Sequence, residues 1–142
     1  MKRILVALDG SPRAQTVFAA AARLAELAQS KLVLFRAIGI PADMPHEVLS
    51  LMDRSLEDLL IGNAHAELER FAASLPRDRV ERIVTPIATA WDGICRTARD
   101  LDVDLIVIGS HGYSGLDRLL GTTAGKVVNH ADRNVLVVRT LL

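Results

Sequence analysis

Two short apolar runs, far apart in the chain, restrict the fold more than any other feature of this sequence. One is RILVAL at residues 3–8, and the other is DLIVIGS at residues 104–110. Neither run alternates between apolar and polar residues, so each is typical of a strand that is covered on both faces. Strands of this kind belong to parallel sheets, in which helices cover the two faces. These two runs are therefore the best candidates for central, neighbouring strands.

The rest of the chain alternates between strand and helix patterns. Further strand patterns cover residues 31–38, 80–88 and 134–142, and helical patterns cover residues 12–29, 46–75, 91–102 and 121–131. Ser11 and Pro12 suit the N-cap and the first turn of the first helix. The order βαβαβαβαβ predicts an α/β fold, an open five-stranded parallel sheet with right-handed crossovers and helices on both faces. A chain of 142 residues has the length of a single domain, expected here to span residues 1–142.

Composition and charge exclude several classes of function. Seventeen basic and seventeen acidic side chains cancel, and no lysine or arginine cluster stands out, so a general nucleic-acid binder is not expected. The apolar run near the start is too short for a signal peptide, and no stretch approaches the ~20 apolar residues of a membrane span. With a single cysteine, Cys95, no internal disulfide can form. We expect a cytoplasmic protein that does not associate with membranes.

The loops after the two apolar strands are where a ligand is expected. In open parallel sheets, ligands lie beyond the carboxyl ends of the strands, at the point where the direction of winding reverses. The sequence after the first strand is DGS, and the sequence after the late strand is GSHGYSG. Residues from both ends of the chain are therefore predicted to meet at one site.

The segment GTTAGK resembles a P-loop but does not have its spacing. A P-loop needs four residues between its glycines and a serine or threonine after its lysine. Only three residues separate Gly121 from Gly125, and Val127 follows Lys126. Lys126 is expected to be a solvated helix residue, and Trp91 a packing anchor of the preceding helix. A dinucleotide fingerprint is also missing after the first strand.

The glycines that remain are suited to holding an anion through the main chain. They let the backbone approach a ligand closely, and the amides at a helix N-terminus favour negative charge. The pattern consists of Gly109, Gly112 and Gly115, followed by Gly121 with Thr122 and Thr123.

Three segments carry a family resemblance. LVALDGS at the front, DLIVIGSHGYSGLDRLLGTT late in the chain and VLVVR near its end resemble the universal stress protein family, over essentially the whole chain. Nucleotide-binding members have Gly-x-x-Gly, nine residues, and then Gly-Ser/Thr. Here eight residues separate Gly112 from Gly121, which shortens the loop by up to ~3.5 Å.

The resemblance implies a Rossmann-like fold of the adenine nucleotide alpha hydrolase-like type and a site for ATP, with or without Mg²⁺. In that site Ala7 and Asp9 meet the adenine and the ribose, and the backbone of Ala37 bonds the adenine. The expected contacts to the ribose and the phosphates are Gly109, His111, Gly112, Ser114 and Gly115, with Gly121, Thr122 and Thr123 at the phosphate tail. From the residues alone, Asp9 could instead cap the turn into the first helix.

Three functions remain open at this point. The first is a homodimeric, ATP-binding regulatory module of the stress response, and the second is a slow ATPase or nucleotide hydrolase. The third is a dimeric scaffold that binds no nucleotide, which the eight-residue spacing favours. No catalytic residues are predicted, because a P-loop lysine, a second acidic motif and a general base are all missing. No metal site is predicted either, since no histidine pair has metal-ligand spacing. The apolar C-terminal strand, residues 135–140, is the expected dimer edge.

Overall fold

The fold is built on a central sheet of five short strands. The computed structural model describes residues 1–39, 54–110 and 121–140, together with Glu47. The strands are Arg3–Ala7 (β1), Lys31–Phe35 (β2), Val80–Val84 (β3), Leu105–Gly109 (β4) and Asn134–Val138 (β5). The helices of the described residues are Ala14–Ala28 (α1), Arg54–Ala73 (α2), Ala90–Asp100 (α3) and Thr122–His130 (α4).

All the strand pairs are parallel, and the strand order is β3-β2-β1-β4-β5. The chain winds outward from β1 to β3 and then returns to β4 on the other side of β1. The winding therefore reverses between β1 and β4. The predicted α/β fold and the central position of the two apolar runs are confirmed.

The two faces of β1 pack into different layers of the core. Ile4 and Val6 belong to a buried cluster that includes residues of α1 and α2. Leu5 belongs to a second cluster, which includes residues of α3 and α4. Since successive side chains of a strand point to opposite faces, a strand between two helical layers has to be apolar at every position. This is why β1 and β4 lack a polar alternation.

Some predicted boundaries extend beyond the elements. The patterns over 31–38 and 80–88 continue past β2 and β3, where an isolated bridge joins Ile38 to Ile87 and a few backbone hydrogen bonds replace the regular ladder. Helix α1 begins at Ala14, with Arg13 at its N-cap and no side-chain cap. Ser11 does not cap the helix directly, but its carbonyl accepts the N–H of Ala14 at 3.1 Å. No helix in the described part of the chain combines the length and the apolar character needed to cross a membrane.

Candidate functional site

A cavity of about 380 Å³ opens at the carboxyl ends of β1, β2 and β4. Helices α3 and α4 supply its other walls through their first turns. The predicted site residues that line this cavity are Ala7, Asp9, Ala37, Gly109, Thr122 and Thr123. Gly121 lies next to it, as the N-cap of α4. The other predicted site residues, His111, Gly112, Ser114 and Gly115, lie outside the described residues.

The body of the cavity is apolar. Phe35, Ile94 and Ile108 line it and belong to the core. Gly93 lies behind Phe35, and its lack of a side chain lets α3 approach the ring. Pockets for small molecules commonly combine an apolar body with a few polar groups at fixed positions. Gly93 was not singled out in the sequence, where it looks like any glycine within a helix.

Asp9 organises the turn that follows β1. Its Oδ1 accepts the backbone N–H of Ser11 at 2.9 Å and the hydroxyl of Ser11 at 2.6 Å. This is an Asx-type turn, in which an aspartate bonds the backbone two residues further on. The local role that the sequence allowed for Asp9 is therefore present. Oδ1 is one of two carboxylate oxygens, and a carboxylate can accept about four hydrogen bonds in total.

The backbone of Ala37 is left open at the wall of the cavity. The flanking N–H groups of Arg36 and Ile38 donate to the carbonyls of Val84 and Pro86, at 3.0 and 2.8 Å. Since backbone groups alternate along an extended chain, those of Ala37 point away from β3. Within the described residues neither its N–H nor its C=O makes a hydrogen bond. Ala37 therefore presents one donor and one acceptor side by side.

The N-terminus of α4 supplies a second set of open backbone groups. Gly121 is the N-cap, without a side-chain cap, and the first helical bond runs from the N–H of Gly125 to the carbonyl of Gly121 at 2.8 Å. The N–H groups of Thr122, Thr123 and Ala124 have no partner among the described residues. All three residues line the cavity. Such a helix end attracts anions through its free amides and through the helix dipole. The dipole alone stabilises a bound anion by about 0.3–1 kcal/mol.

Arg36 is a site residue that was not predicted from the sequence. It lines the cavity, and its side chain is only 12% exposed. Its Nε donates to the carbonyl of Leu8 at 2.9 Å, and its Nη2 donates to the carbonyl of Asp9 at 3.2 Å. Its Nη1 donates to Oε2 of Glu67 at 2.5 Å. The hydrogen bond and the charge of Arg36 hold the pKa of the Glu67 carboxyl below its usual value.

Lys126 lies away from the cavity. Its Nζ stands 5.5 Å from the ring centroid of Trp91, and the same ring lies 4.8 Å from the ring of His130. Trp91 therefore anchors α3 against α4, as the sequence indicated. Cys95 is only partly buried, and burial raises the pKa of its thiol. Within the described residues, no group of three histidine, cysteine, aspartate or glutamate side chains could hold a metal ion.

The comparison with known protein families agrees with this arrangement. The sequence pattern of the universal stress protein family matches residues 1–139. The chain belongs to the universal stress protein family. A similar member, universal stress protein A homolog 1 of Coxiella burnetii, is 32% identical over 138 residues, which are 96% of this chain and 95% of that protein.

Solved universal stress protein structures share the fold. The universal stress protein UspA from Lactobacillus plantarum superimposes with a TM-score of 0.77 at 25% identity, and the match covers 97% of each chain. A universal stress protein in complex with cAMP superimposes with a TM-score of 0.72, over 99% of this chain and 98% of that one. At 21% identity, this second likeness shows the fold alone.

Proposed function

We propose that this universal stress protein binds an adenine nucleotide in the cavity, ATP in the first place, and acts as a homodimeric nucleotide-sensing module in the stress response. One observation carries the proposal. The amides at the start of α4 and the backbone groups of Ala37, which have no hydrogen-bond partner in the part of the chain that the structure describes, line the same cavity. One set suits an anion, and the other suits the edge of a base.

Each part of an adenine nucleotide has a matching group on this wall. The open N–H and C=O of Ala37 complement N1 and the N6 amino group of adenine. The carboxylate of Asp9 is a good acceptor for ribose hydroxyls. The amides of Thr122, Thr123 and Ala124 suit phosphate oxygens. The volume of about 380 Å³ lies within the range of small-molecule pockets, roughly 300–1,000 Å³. A universal stress protein with the same fold has been solved in complex with cAMP, so this fold is able to hold an adenine nucleotide.

Binding is proposed here, and brisk hydrolysis is not. A P-loop lysine reaches the β- and γ-phosphates, but the lysine of α4, Lys126, is directed at Trp91. Mg²⁺ would enter with the triphosphate, because this ion is usually held by substrate phosphates and by few protein carboxylates. The proposed role of the protein is therefore to report the occupancy of the site.

Calorimetric titration with ATP tests the proposal, with and without Mg²⁺, and with cAMP as a competing ligand. The variant Thr123→Trp places an indole at the cavity wall and should abolish ATP binding. The matched control is Val128→Trp, on an exposed position of the same helix that does not line the cavity. It should bind ATP like the wild type. No heat from the wild type at millimolar ATP, or equal binding by the two variants, would reject the site.

The dimer in this proposal forms through the free edge of β5. Among the described strands, the other edge belongs to β3, where Glu81 and Arg82 are exposed. The β5 edge carries apolar residues, including Leu136 with 40% of its surface exposed. Charged edges resist pairing with another chain, whereas an apolar edge favours it. Two copies related by a two-fold axis would pair this strand antiparallel, over residues 135–140.

Light scattering over a range of concentrations tests this interface. In this register position 136 lies opposite position 139, an arginine, so Leu136→Lys brings two positive charges together and should give monomers. Leu27→Lys, on a 74% exposed position of α1, is the matched control and should leave the dimer intact. A dimer that survives Leu136→Lys at micromolar concentration would exclude this edge.

A further inference from the structure

We propose that Arg36 is a positioning residue of the nucleotide site, and that Glu67 of α2 holds Arg36 in place. In this arrangement Arg36 fixes the turn after β1, so that Asp9 meets the ribose of the bound nucleotide. The inference rests on the proposed function and adds to it a residue that determines how the ribose is recognised.

The main observation is that one guanidinium binds two successive carbonyls, those of Leu8 and Asp9. These carbonyls follow β1 directly and belong to the wall of the cavity. The N–H of Leu8 donates to the carbonyl of Phe35 at 2.8 Å, so this peptide segment is held from both sides. The orientation of the Asp9 backbone, and with it the direction of the Asp9 carboxylate, depends on these bonds.

The geometry is specific to arginine. A guanidinium presents five donors in a rigid plane, whereas a lysine ammonium is a compact point charge on a flexible stem. Three of the Arg36 nitrogens point at three different acceptors, which are two successive carbonyls after β1 and a carboxylate of α2. A lysine at this position could hold one of these acceptors at a time.

Glu67 completes the arrangement from the outside. The Arg36 side chain is 12% exposed, and the Glu67 side chain is 50% exposed. A mostly buried cation needs a nearby anion, since a charge without a partner is costly to bury. Glu67 is such a partner, and its contact also fixes the plane of the guanidinium. In this arrangement the carboxylate on α2 acts on the Asp9 backbone through Arg36.

The test compares two ligands that differ only in the ribose. The ratio of the dissociation constants for 2′,3′-dideoxy-ATP and ATP measures what the ribose hydroxyls contribute. Hydrogen bonds to a carboxylate should make this ratio about tenfold or more in the wild type. Asp9→Asn should bring it down towards one. Arg36→Gln should also reduce it strongly, because Asp9 is then no longer held in place.

A matched control separates positioning from a general loss of stability. Arg79 is a second guanidinium that binds two backbone carbonyls, those of Ala25 at 2.7 Å and Ser30 at 3.1 Å. It lies at the amino ends of β2 and β3, away from the cavity. Arg79→Gln should lower the melting temperature but keep the wild-type ratio. The ratio measured for Arg36→Lys should lie between the ratios of Arg36→Gln and the wild type.

A second pair of variants keeps the test valid if Arg36→Gln does not fold. Glu67→Gln removes the charge that holds Arg36, and it should lower the ratio part of the way. Glu69→Gln, on the same helix in an exposed pair with His65, should leave the ratio unchanged. If the folded Arg36 and Glu67 variants keep the wild-type ratio of dissociation constants, the inference is overturned and the proposal of nucleotide binding stands. A ratio near one in the wild type itself would also overturn the inference alone. A wild type that does not bind ATP would overturn both proposals.

Discussion

Gly93 of α3 lies directly against the ring of Phe35. A Cβ built on Gly93 would stand 3.1 Å from Cζ of Phe35 and 3.3 Å from Cβ of Ala88. Both distances are shorter than an ordinary van der Waals contact. Since Phe35 lines the cavity, the missing side chain at position 93 sets how closely α3 approaches the site.

Two glycine-to-alanine variants should therefore have opposite effects. Alanine in a helix gains about 1 kcal/mol over glycine, and overpacking costs about 1–3 kcal/mol. Gly93→Ala should be destabilised by about 1 kcal/mol and should bind nucleotide more weakly, because Phe35 is pushed into the cavity. Gly125→Ala, where no described atom lies within 4 Å of the added Cβ, should be stabilised by about 0.5–1 kcal/mol. Denaturant unfolding measures both, and a stabilised Gly93→Ala variant would contradict the packing described.

The base specificity of the site should follow from the backbone of Ala37. Adenine presents an acceptor at N1 beside a donor at N6, which matches the open N–H and C=O. Hypoxanthine presents the two functions in the reverse order. ITP should therefore bind about tenfold or more weakly than ATP, as expected for the loss of paired hydrogen bonds in a partly buried site. Competition titrations give the ratio directly, and equal affinities would show that the base does not contact Ala37.

The stability of the fold should depend on pH partly through Asp104. The N–H groups of Arg3 and Lys2 both donate to its Oδ2, at 2.9 and 2.6 Å, and they hold the pKa of this carboxyl below 3.8. A lowered pKa in the folded state stabilises the protein above the unfolded-state value. This stabilisation is lost as the pH falls through 3.8 towards the lowered pKa.

Asp104→Asn should consequently lose less stability on acidification than the wild type. At neutral pH, this variant should lose less than about 1 kcal/mol of the free energy of unfolding, because the carboxylate of Asp104 is exposed and screened by solvent. Urea unfolding between about pH 6 and pH 3, roughly the range in which carboxyl groups titrate, measures the difference. Asp100→Asn is a suitable exposed control. A pH dependence of Asp104→Asn identical to that of the wild type would exclude the assigned role.

The central strands could be predicted because burial on both faces leaves a direct trace in the sequence. Both β1 and β4 are uninterrupted apolar runs, and they lie side by side as expected. The ends of β2 and β3 were placed too late, because Ile38 and Ile87 still look like strand residues and still form a bridge. Backbone hydrogen bonds also continue past the two strands, from the N–H of Ile38 to the carbonyl of Pro86 and from the N–H of Ala88 to the carbonyl of Ile38, so the apolar pattern follows a pairing that is looser than a regular ladder.

The parts of the site that depend on local chemistry could also be predicted. The glycine and the two threonines at the start of α4 belong to one helix end, and Asp9 belongs to one turn. Arg36 could not be predicted, because its role depends on Glu67, 31 residues further along the chain, and on carbonyls 27 and 28 residues earlier. The only local signal was a charged residue at the end of an apolar strand pattern.

The role of the α4 amides can be separated from that of the threonine hydroxyl at one position. Thr122 is the first residue of α4, where proline is well tolerated, although it lacks the N–H. Gly121 before it has φ −61° and ψ 164°, a conformation that a residue preceding proline readily adopts. Thr122→Pro therefore removes one amide donor, and Thr122→Ala removes only the hydroxyl. Thr122→Pro should bind ATP about tenfold more weakly than Thr122→Ala, and both variants should bind adenosine alike.

Calorimetric titration of the wild type with ATP and with adenosine, under identical conditions, tests the central claim most directly. If the open amides of α4 hold the phosphates, ATP should bind at least tenfold more tightly than adenosine, as expected for charge-assisted hydrogen bonds. Equal affinities for the two ligands, or no binding of ATP, would contradict the account.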